Sequence, residues 1–171
     1  MSRRQRTRAA GVMVLDNEGV SKAATDRAMY VRLRVAYEDG HRVLTSAAIL
    51  AEILRGTSRD AGVRRVLARV AVEPVTEALG QRAGQLIGAA GMSARQAVDA
   101  MVAATAIDQA EQAEAADRSA SVLIVTSDLP DLTKLVAGRP GVAVVHVSKL
   151  GQPPATDTSP GRTQAPFWGA Q

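Results

Sequence analysis

The sequence predicts an α/β fold in which helices cover both faces of a parallel sheet. Short aliphatic runs alternate along the chain with longer segments of helical periodicity, as in repeated strand–helix units. The predicted strands are apolar without strict alternation, which is typical of strands that are buried on both faces. With 171 residues and 46% hydrophobic content, the chain is long enough for one domain with an aliphatic core.

The predicted elements follow one another in a regular order. The aliphatic runs predict strands at 12–15, 43–45, 70–75, 121–126 and 142–147. The helical segments are predicted at 21–39, 47–55, 61–70, 76–91 and 94–116, with a last helix after Asp128 that ends at Val136. Gly40 and Gly56 are expected to end two of these helices, because glycine readily adopts the left-handed backbone that ends a helix. Pro74 ends the third strand, since proline cannot donate to a sheet ladder.

Three regions differ in composition. Residues 1–11 carry four arginines and are expected to form a flexible basic arm, residues 12–150 the folded domain. Residues 151–171 are rich in Gly, Pro, Ser and Thr and are expected to be a disordered tail. The net charge of +4 comes from the arm, because residues 12–150 contain 16 basic and 16 acidic residues. Bulk charge is therefore weak evidence for a nucleic-acid partner.

The composition excludes several kinds of site. The absence of cysteine excludes disulfides, thiol catalysis and thiolate metal sites. Two histidines, His41 and His146, are too few and too far apart for a zinc site of the usual spacing. No segment approaches the roughly 18 apolar residues that a membrane span needs, and no secretory signal is visible. We therefore expect a cytoplasmic protein without a membrane partner.

Four acidic residues stand where burial or a strand end makes them unusual. Asp16 and Asp128 directly follow predicted strands, and sites in open α/β sheets form beyond the carboxyl ends of the strands. Glu52 and Asp99 lie within otherwise apolar helical segments. A carboxylate on an apolar face is costly to bury unless it is paired or coordinates a metal. The pattern predicts an acidic centre suited to Mg²⁺ or Mn²⁺, because hard cations prefer carboxylate oxygens and water.

The residues around these acids resemble a known family. The segments VLDNEG, AAILAEILRG, AVDAMVAATA and VTSDLPDL, in this order, are similar to the four acidic signatures of PIN-domain nucleases. The resemblance covers residues 12–147 and is strongest to the VapC-type toxins of toxin–antitoxin modules. It implies a three-layer α/β/α fold with a five-stranded parallel sheet, bound Mg²⁺ or Mn²⁺, and endonucleolytic cleavage of RNA. It also implies a homodimer and an antitoxin partner, with Val31, Leu33 and Val35 available for the dimer contact.

The resemblance assigns roles to individual residues. Asp16, Glu52, Asp99 and Asp128 correspond to the catalytic, metal-binding acids, and Thr126 to the supporting hydroxyl residue. Glu18 departs from the family pattern, which has a small polar residue two positions after the first aspartate. Three roles are open for it: an added metal ligand, an acceptor for metal-bound water, or a surface residue that points away. Asp131 is either a further ligand or a structural acid in the first turn of its helix.

RNA contact is assigned to arginines close after Glu52. The candidates are Arg55, Arg59, Arg64, Arg65 and Arg69, which would hold RNA phosphates; the alternative is an ordinary solvated helix face. Tyr30 and Tyr37 are interpreted as packing residues, so base stacking is disfavoured. Phe167 and Trp168 lie in the tail, where they are available to dock a partner.

Two other functions are compatible with parts of this pattern. The first is a PIN fold without nuclease activity that serves as an interaction module, although such domains usually lose some of the four acids. The second is a phosphoacceptor signalling domain, which also gathers acids at strand ends. That class needs a lysine at the end of a late strand, whereas Lys149 lies beyond the last strand and Lys134 within a helix.

Overall fold

The computed structural model describes residues 11–116 and 121–150, which form one sheet with helices on both faces. The five strands are β1 (Val12–Leu15), β2 (Arg42–Ser46), β3 (Ala71–Glu73), β4 (Val122–Thr126) and β5 (Val142–His146). All neighbours are parallel, in the order β3-β2-β1-β4-β5. The predicted parallel sheet of five strands is confirmed. A signalling receiver domain has the order 2-1-3-4-5, so the topology excludes that alternative.

The ends of the chain are described only in part. The predicted arm up to residue 10 and the predicted tail at 151–171, with Phe167 and Trp168, lie outside the described residues. Gly11 does not belong to the arm, because its N–H donates to His41 Nδ1 at 2.8 Å and its carbonyl accepts from the N–H of Arg42 at 3.0 Å. The folded domain therefore includes Gly11.

Within the described residues, seven α-helices connect and cover the strands. They are α1 (Asn17–Thr25), α2 (Arg27–Glu38), α3 (Leu50–Ile53), α4 (Ala61–Leu67), α5 (Glu77–Ala89), α6 (Ala97–Ala115) and α7 (Leu129–Leu135). No helix within the described ranges is long and apolar enough to cross a membrane.

The predicted single helix at 21–39 is wrong, because the chain forms two helices there. Asp26 has extended backbone angles between α1 and α2, and its side chain accepts the N–H of Ala28 at 2.8 Å. A short polar side chain at this position satisfies a free helix donor, which offsets the loss of a continuous helix.

The predicted helix at 47–55 is also shorter than expected. A 3-10 turn, Ala47–Ile49, follows β2 and leads into α3, which ends at Leu54 with extended backbone. A second 3-10 turn, Ala94–Gln96, precedes α6. Both turns begin at a serine whose hydroxyl accepts a backbone N–H, Ser46 in the first and Ser93 in the second.

The core lies between the central strands and the helices on each face. β1 and β4 are almost entirely buried, and α6 packs across the sheet through small side chains such as Ala100, Ala103 and Ala104, all at 0% exposure. Small residues let this helix approach the strands closely. The start of α6 contacts the 3-10 turn after β2, which brings Asp99 to the carboxyl edge of the sheet.

Candidate active site

Asp16 and Thr126 lie side by side at the carboxyl edge of the sheet. Leu15 pairs with Val125 in the β1–β4 register, so the next residue of each strand occupies the same level. The Asp16 carboxylate accepts the N–H of Gly19 at 2.6 Å and a hydrogen bond from the Thr126 hydroxyl. Asp16 is only 4% exposed, and it caps α1 with the same carboxylate.

Gly19 allows the first turn of α1 to lie directly against β4. A Cβ atom at this position would stand 3.0 Å from the carbonyl oxygen of Val125 and 3.3 Å from Cβ of Leu15. Such distances are shorter than normal van der Waals contacts, so a side chain would push α1 away from the sheet. The close approach fixes the direction in which Asp16 and the residues after it point.

Thr126 also holds the loop that carries Asp128. Its Oγ1 accepts the N–H of Asp128 at 2.8 Å, and its hydroxyl group donates a hydrogen bond to Asp16. Asp128 occupies the position before α7, yet its side chain makes no capping hydrogen bond there. The exposed carboxylate of Asp128 is therefore not used to stabilise the helix.

Glu52 lies in α3, on the surface beside the first turn of α1. Its Oε2 accepts a hydrogen bond from Nδ2 of Asn17 at 2.6 Å. The expectation that Glu52 would sit on a buried apolar face is wrong, because α3 is a single superficial turn with no fully buried residue. Its apolar neighbours Ile49 and Ile53 pack against the core, while Glu52 projects from the exposed side.

Asp99 connects the acidic residues electrostatically. Burial, together with the negative charges of Glu52, Asp128 and Asp131, raises its pKa to about 6. The pKa of Asp16 is likewise raised to about 6, because burial and the charges of Glu18 and Asp99 outweigh the opposing effect of its hydrogen-bond donors Thr126 and Gly19. Each candidate acid thus interacts electrostatically with at least one other. The structure brings all six of them to one edge of the sheet: Asp16, Glu18, Glu52, Asp99, Asp128 and Asp131.

Glu18 and Asp131 lie at the border of this group. Glu18 is exposed, and its Oε2 accepts from the Ser127 hydroxyl at 3.3 Å, a long distance for such a bond. Asp131 is half-buried in the first turn of α7. Both carboxylates add negative charge beside the four central acids.

The site lacks a positive partner in the part of the chain that the structure describes. The ion pairs there involve other acids, namely Glu38, Asp60, Glu73, Asp108 and Glu111. Six carboxylates at one edge therefore carry uncompensated negative charge, and a cation would stabilise them.

The donor set fits a hard divalent cation held mainly by water. All candidate ligands are carboxylate oxygens, which favour Mg²⁺ or Mn²⁺ over zinc or copper. Within residues 11–116 and 121–150, no three Asp, Glu, His or Cys side chains are arranged to hold one ion together. Mg²⁺ commonly binds through one or two carboxylates and keeps several waters, so this spacing is compatible with it.

The five candidate arginines differ in their contacts. The Arg55 guanidinium donates to the carbonyl oxygens of Ala51 and Leu54, which holds it against α3 close to Glu52. Arg59, Arg64 and Arg65 are exposed on the following turn and α4. Arg69 is bound to an aromatic side chain of α2.

Arg69 joins α2 to the end of α4. Its guanidinium donates to the Tyr30 hydroxyl at 2.7 Å and lies 5.7 Å from the centre of that ring. Its carbonyl oxygen accepts from the Tyr37 hydroxyl. The predicted packing role fits Tyr30, which is half-buried against Arg69, but not Tyr37, which is 36% exposed. Arg69 has a structural role that the sequence did not reveal.

Sequence reasoning missed two polar residues near the site, Asn17 and Asp60. Asp60 is buried and accepts the N–H groups of Arg55, Gly56 and Thr57 at 3.0, 2.8 and 3.3 Å. The pattern Thr57-Ser-Arg-Asp60 is a capping box and could have revealed this role. No comparable pattern marks Asn17, whose partner lies 35 positions away in the sequence.

Comparison with known proteins identifies the family. The PIN domain family model matches residues 13–129, more than half of the chain, and the chain belongs to this family. No curated protein matches the sequence.

Solved structures share the fold. The crystal structure of VapBC2 from Rickettsia felis, bound to a DNA fragment from the promoter, is similar with a TM-score of 0.57 and 15% identity over 79% of this chain and 98% of that chain. VapBC-1 from nontypeable Haemophilus influenzae is similar with a TM-score of 0.52 and 15% identity over 81% of this chain and 99% of that one. At such low identity, the likeness establishes the fold alone.

Proposed function

We propose that this PIN domain is a Mg²⁺- or Mn²⁺-dependent endoribonuclease and the toxin of a type II toxin–antitoxin module. The observation that supports it most is the group of six carboxylates at one sheet edge without a basic partner among the described residues. A purely structural cluster of this kind would only destabilise the fold, whereas a cation site requires it.

In this proposal, the cation lies among Asp16, Glu52, Asp99 and Asp128, of which one or two bind it directly and the others bind through its water molecules. Thr126 keeps Asp16 and the Asp128 loop in register through its two hydrogen bonds. A bound Mg²⁺ or Mn²⁺ supplies an activated water and neutralises charge on the phosphodiester. Glu18 and Asp131, at the border of the group, accept hydrogen bonds from metal-bound water or act as additional ligands.

RNA is the proposed substrate, and exposed arginines beside α3 are its proposed contacts. Arg55 lies three residues after Glu52, and Arg59, Arg64 and Arg65 extend the positive surface along α4. Arginine side chains bind phosphates independently of base sequence. Arg69 contributes least, because Tyr30 already holds its guanidinium.

The proposed partners follow from the family and from the fold neighbours. The solved structures of similar fold are of VapBC assemblies, which supports an antitoxin partner for this chain as well. A toxin of this class acts on cellular RNA and therefore in the cytoplasm. A homodimer is also proposed through Val31 and Val35, which are exposed on α2, whereas Leu33 is buried and unavailable.

The central test is the substitution Asp99→Asn. This change keeps the shape of the side chain but removes one negative charge from the cluster. We expect loss of Mg²⁺-dependent cleavage of a mixed RNA pool, while the metal-free variant melts at the same temperature as the wild type or higher. Mn²⁺ should raise the melting temperature of the wild type more than that of the variant, because a ligand stabilises only the state that binds it.

Asp108→Asn is the matched control. Asp108 lies on the same helix as Asp99 but pairs with Arg82 at 2.7 Å, outside the acidic cluster. Its replacement should leave cleavage and the Mn²⁺ effect intact. Full cleavage by Asp99→Asn would refute the proposed site, and metal binding without cleavage by the wild type would instead support the interaction module.

A further inference from the structure

The short helix α3 is weakly anchored for an element that carries a candidate metal ligand. It comprises only four residues, Leu50–Ile53, and none of them is fully buried. A single helical turn has little stability of its own, because nucleation costs more than one turn recovers. The buried Ile49 holds one side of the turn, and Asp60 binds the N–H of Arg55 beyond its other end.

These two anchors hold the ends of α3, but they leave the turn itself marginally stable and do not hold the side chain of Glu52. Glutamate has several rotatable bonds, and an exposed one samples many conformations unless a partner selects among them. Within the described chain, Asn17 is the only side chain that forms a hydrogen bond with Glu52, from Nδ2 to Oε2 at 2.6 Å. No described residue forms a hydrogen bond with Oε1 of this carboxylate.

Asn17 is well placed to orient a flexible side chain because its own backbone is fixed. It directly follows Asp16, which is buried and hydrogen-bonded to both Gly19 and Thr126. Asn17 is itself half-buried as the first residue of α1. Its side-chain amide therefore extends from the well-anchored Asp16 segment toward the weakly anchored helix α3.

An amide donor is needed here because the neighbouring charges repel Glu52. Glu52 and Asp99 belong to the same acidic cluster, so the two carboxylates repel each other when both are charged. Without a donor, Glu52 would turn toward solvent. A hydrogen bond to a charged carboxylate opposes this movement without adding a positive charge that would compete with a cation.

We infer that Asn17 is a positioning residue that holds Glu52 toward the acidic cluster in readiness for a divalent cation. The inference rests on the proposed function, and it assigns Asn17 no contact with the substrate or the reacting atoms. Residues that hydrogen-bond to metal ligands set the orientation of those ligands, and their replacement commonly weakens metal binding by about 10- to 100-fold.

The test combines Asn17→Ala with Glu52→Ala in the full chain. We expect Asn17→Ala to weaken Mn²⁺ binding, measured by calorimetry, by about tenfold. It should lower kcat for RNA cleavage while KM for RNA stays unchanged. In the Glu52→Ala background, the Asn17→Ala substitution should have no further effect on Mn²⁺ affinity, because its only route to the site has been removed.

Thr25→Ala is the control, since it removes an exposed hydrogen bond of the same helix, from Thr25 Oγ1 to the carbonyl of Ser21, outside the acidic cluster. It should not change Mn²⁺ affinity. An unchanged affinity in Asn17→Ala, or an equal loss with and without Glu52, would overturn the inference.

A metal-free measurement separates this inference from the proposed function. Amide hydrogen exchange at 50–54 should be faster in Asn17→Ala than in Thr25→Ala or the wild type, because the link between α1 and α3 is lost. If the wild type binds no Mn²⁺ and cleaves no RNA, the proposed function fails even when this exchange difference is found. Unchanged exchange in Asn17→Ala would instead refute the positioning role itself.

Discussion

Asp16 and Asp60 are both buried to 4% exposure, yet the pKa of one rises and the pKa of the other falls. Burial raises the pKa of each carboxyl, because the charged form loses water. At Asp60, three backbone N–H groups and Arg64 outweigh burial and hold the pKa below its usual value. At Asp16, burial outweighs the Gly19 and Thr126 donors, and nearby carboxylates add to the effect. The surroundings distinguish a structural acid from one that a cation would stabilise.

The first residue-scale prediction concerns Asp60→Asn. The Asp60 carboxylate is stabilised in the folded state, so its contribution to stability is present above the unfolded pKa of 3.8 and is lost as the pH falls through the lower folded pKa. We expect the variant to melt below the wild type at pH 7. The difference should shrink as the pH is lowered below about 4, because the unfolded wild type then takes up a proton that the folded carboxylate binds only at lower pH.

Asp39→Asn serves as its control, because Asp39 is exposed at the end of α2. Thermal unfolding followed by circular dichroism between pH 3 and pH 7.5 should show little difference between this variant and the wild type. A pH-independent deficit in Asp60→Asn would show that its lost packing, rather than its charge, matters.

At the scale of elements, the contact between α1 and β4 determines the site. The first turn of α1 presents Asp16, Asn17 and Glu18 in succession, and each has a different partner: Thr126, Glu52 and Ser127. Thr126 is the last residue of β4, Ser127 follows it, and Glu52 lies in α3. A small displacement of this turn would therefore alter the acid-bearing segments on both sides of it.

Gly19→Ala tests this contact. The added Cβ would stand 3.0 Å from the carbonyl oxygen of Val125, which is backbone of a central strand and cannot easily move. We expect a loss of about 1–3 kcal/mol in the free energy of unfolding, as for other overpacked sites. Urea denaturation measures this loss, and metal affinity should fall with it because α1 is displaced.

Gly80→Ala is the opposite case in another helix. Gly80 lies within α5, and a Cβ built there meets no atom within 4 Å. Alanine should therefore stabilise the protein by roughly 0.5–1 kcal/mol through its better helix propensity. Equal effects of the two substitutions would show that helix propensity, rather than the contact with β4, governs Gly19.

At the scale of the whole molecule, the exposed face of α2 is the proposed dimer contact. Val31 and Val35 are 40% and 45% exposed, one helical turn apart. We expect Val31→Ser with Val35→Ser to shift a dimer toward monomer in light scattering at tens of micromolar. The fold should be retained, because serine and valine have similar helix propensities.

A matched pair of valines provides the comparison. Val72 and Val75, at 39% and 43% exposure, lie at or just after the edge strand β3. Replacing both by serine should leave the oligomeric state unchanged. A wild type that is monomeric at these concentrations would contradict the proposed homodimer.

The sequence alone determined the order of the elements and the identity of the acids. Its aliphatic runs match the five strands, of which β1 and β4 are buried and the edge strand β3 is largely exposed. The stop signals at Gly40 and Gly56 have positive φ, although α3 already ends at Ile53. Local patterns suffice for these features, since periodicity and turn preferences act over a few residues. The same patterns missed the break at Asp26, where a capping carboxylate competes with a continuous helix.

Only the tertiary structure decided how the acids and their supports meet. The sheet order β3-β2-β1-β4-β5 places β1 beside β4, which joins Asp16 to Thr126 across more than a hundred residues of sequence. Packing between α1, α2, α3 and α4 determines the exposure of Glu52 and its hydrogen bond to Asn17. It also determines the hydrogen bond from Arg69 to Tyr30. Contacts between distant segments leave no periodic trace in a single sequence, because they arise only when the elements pack together.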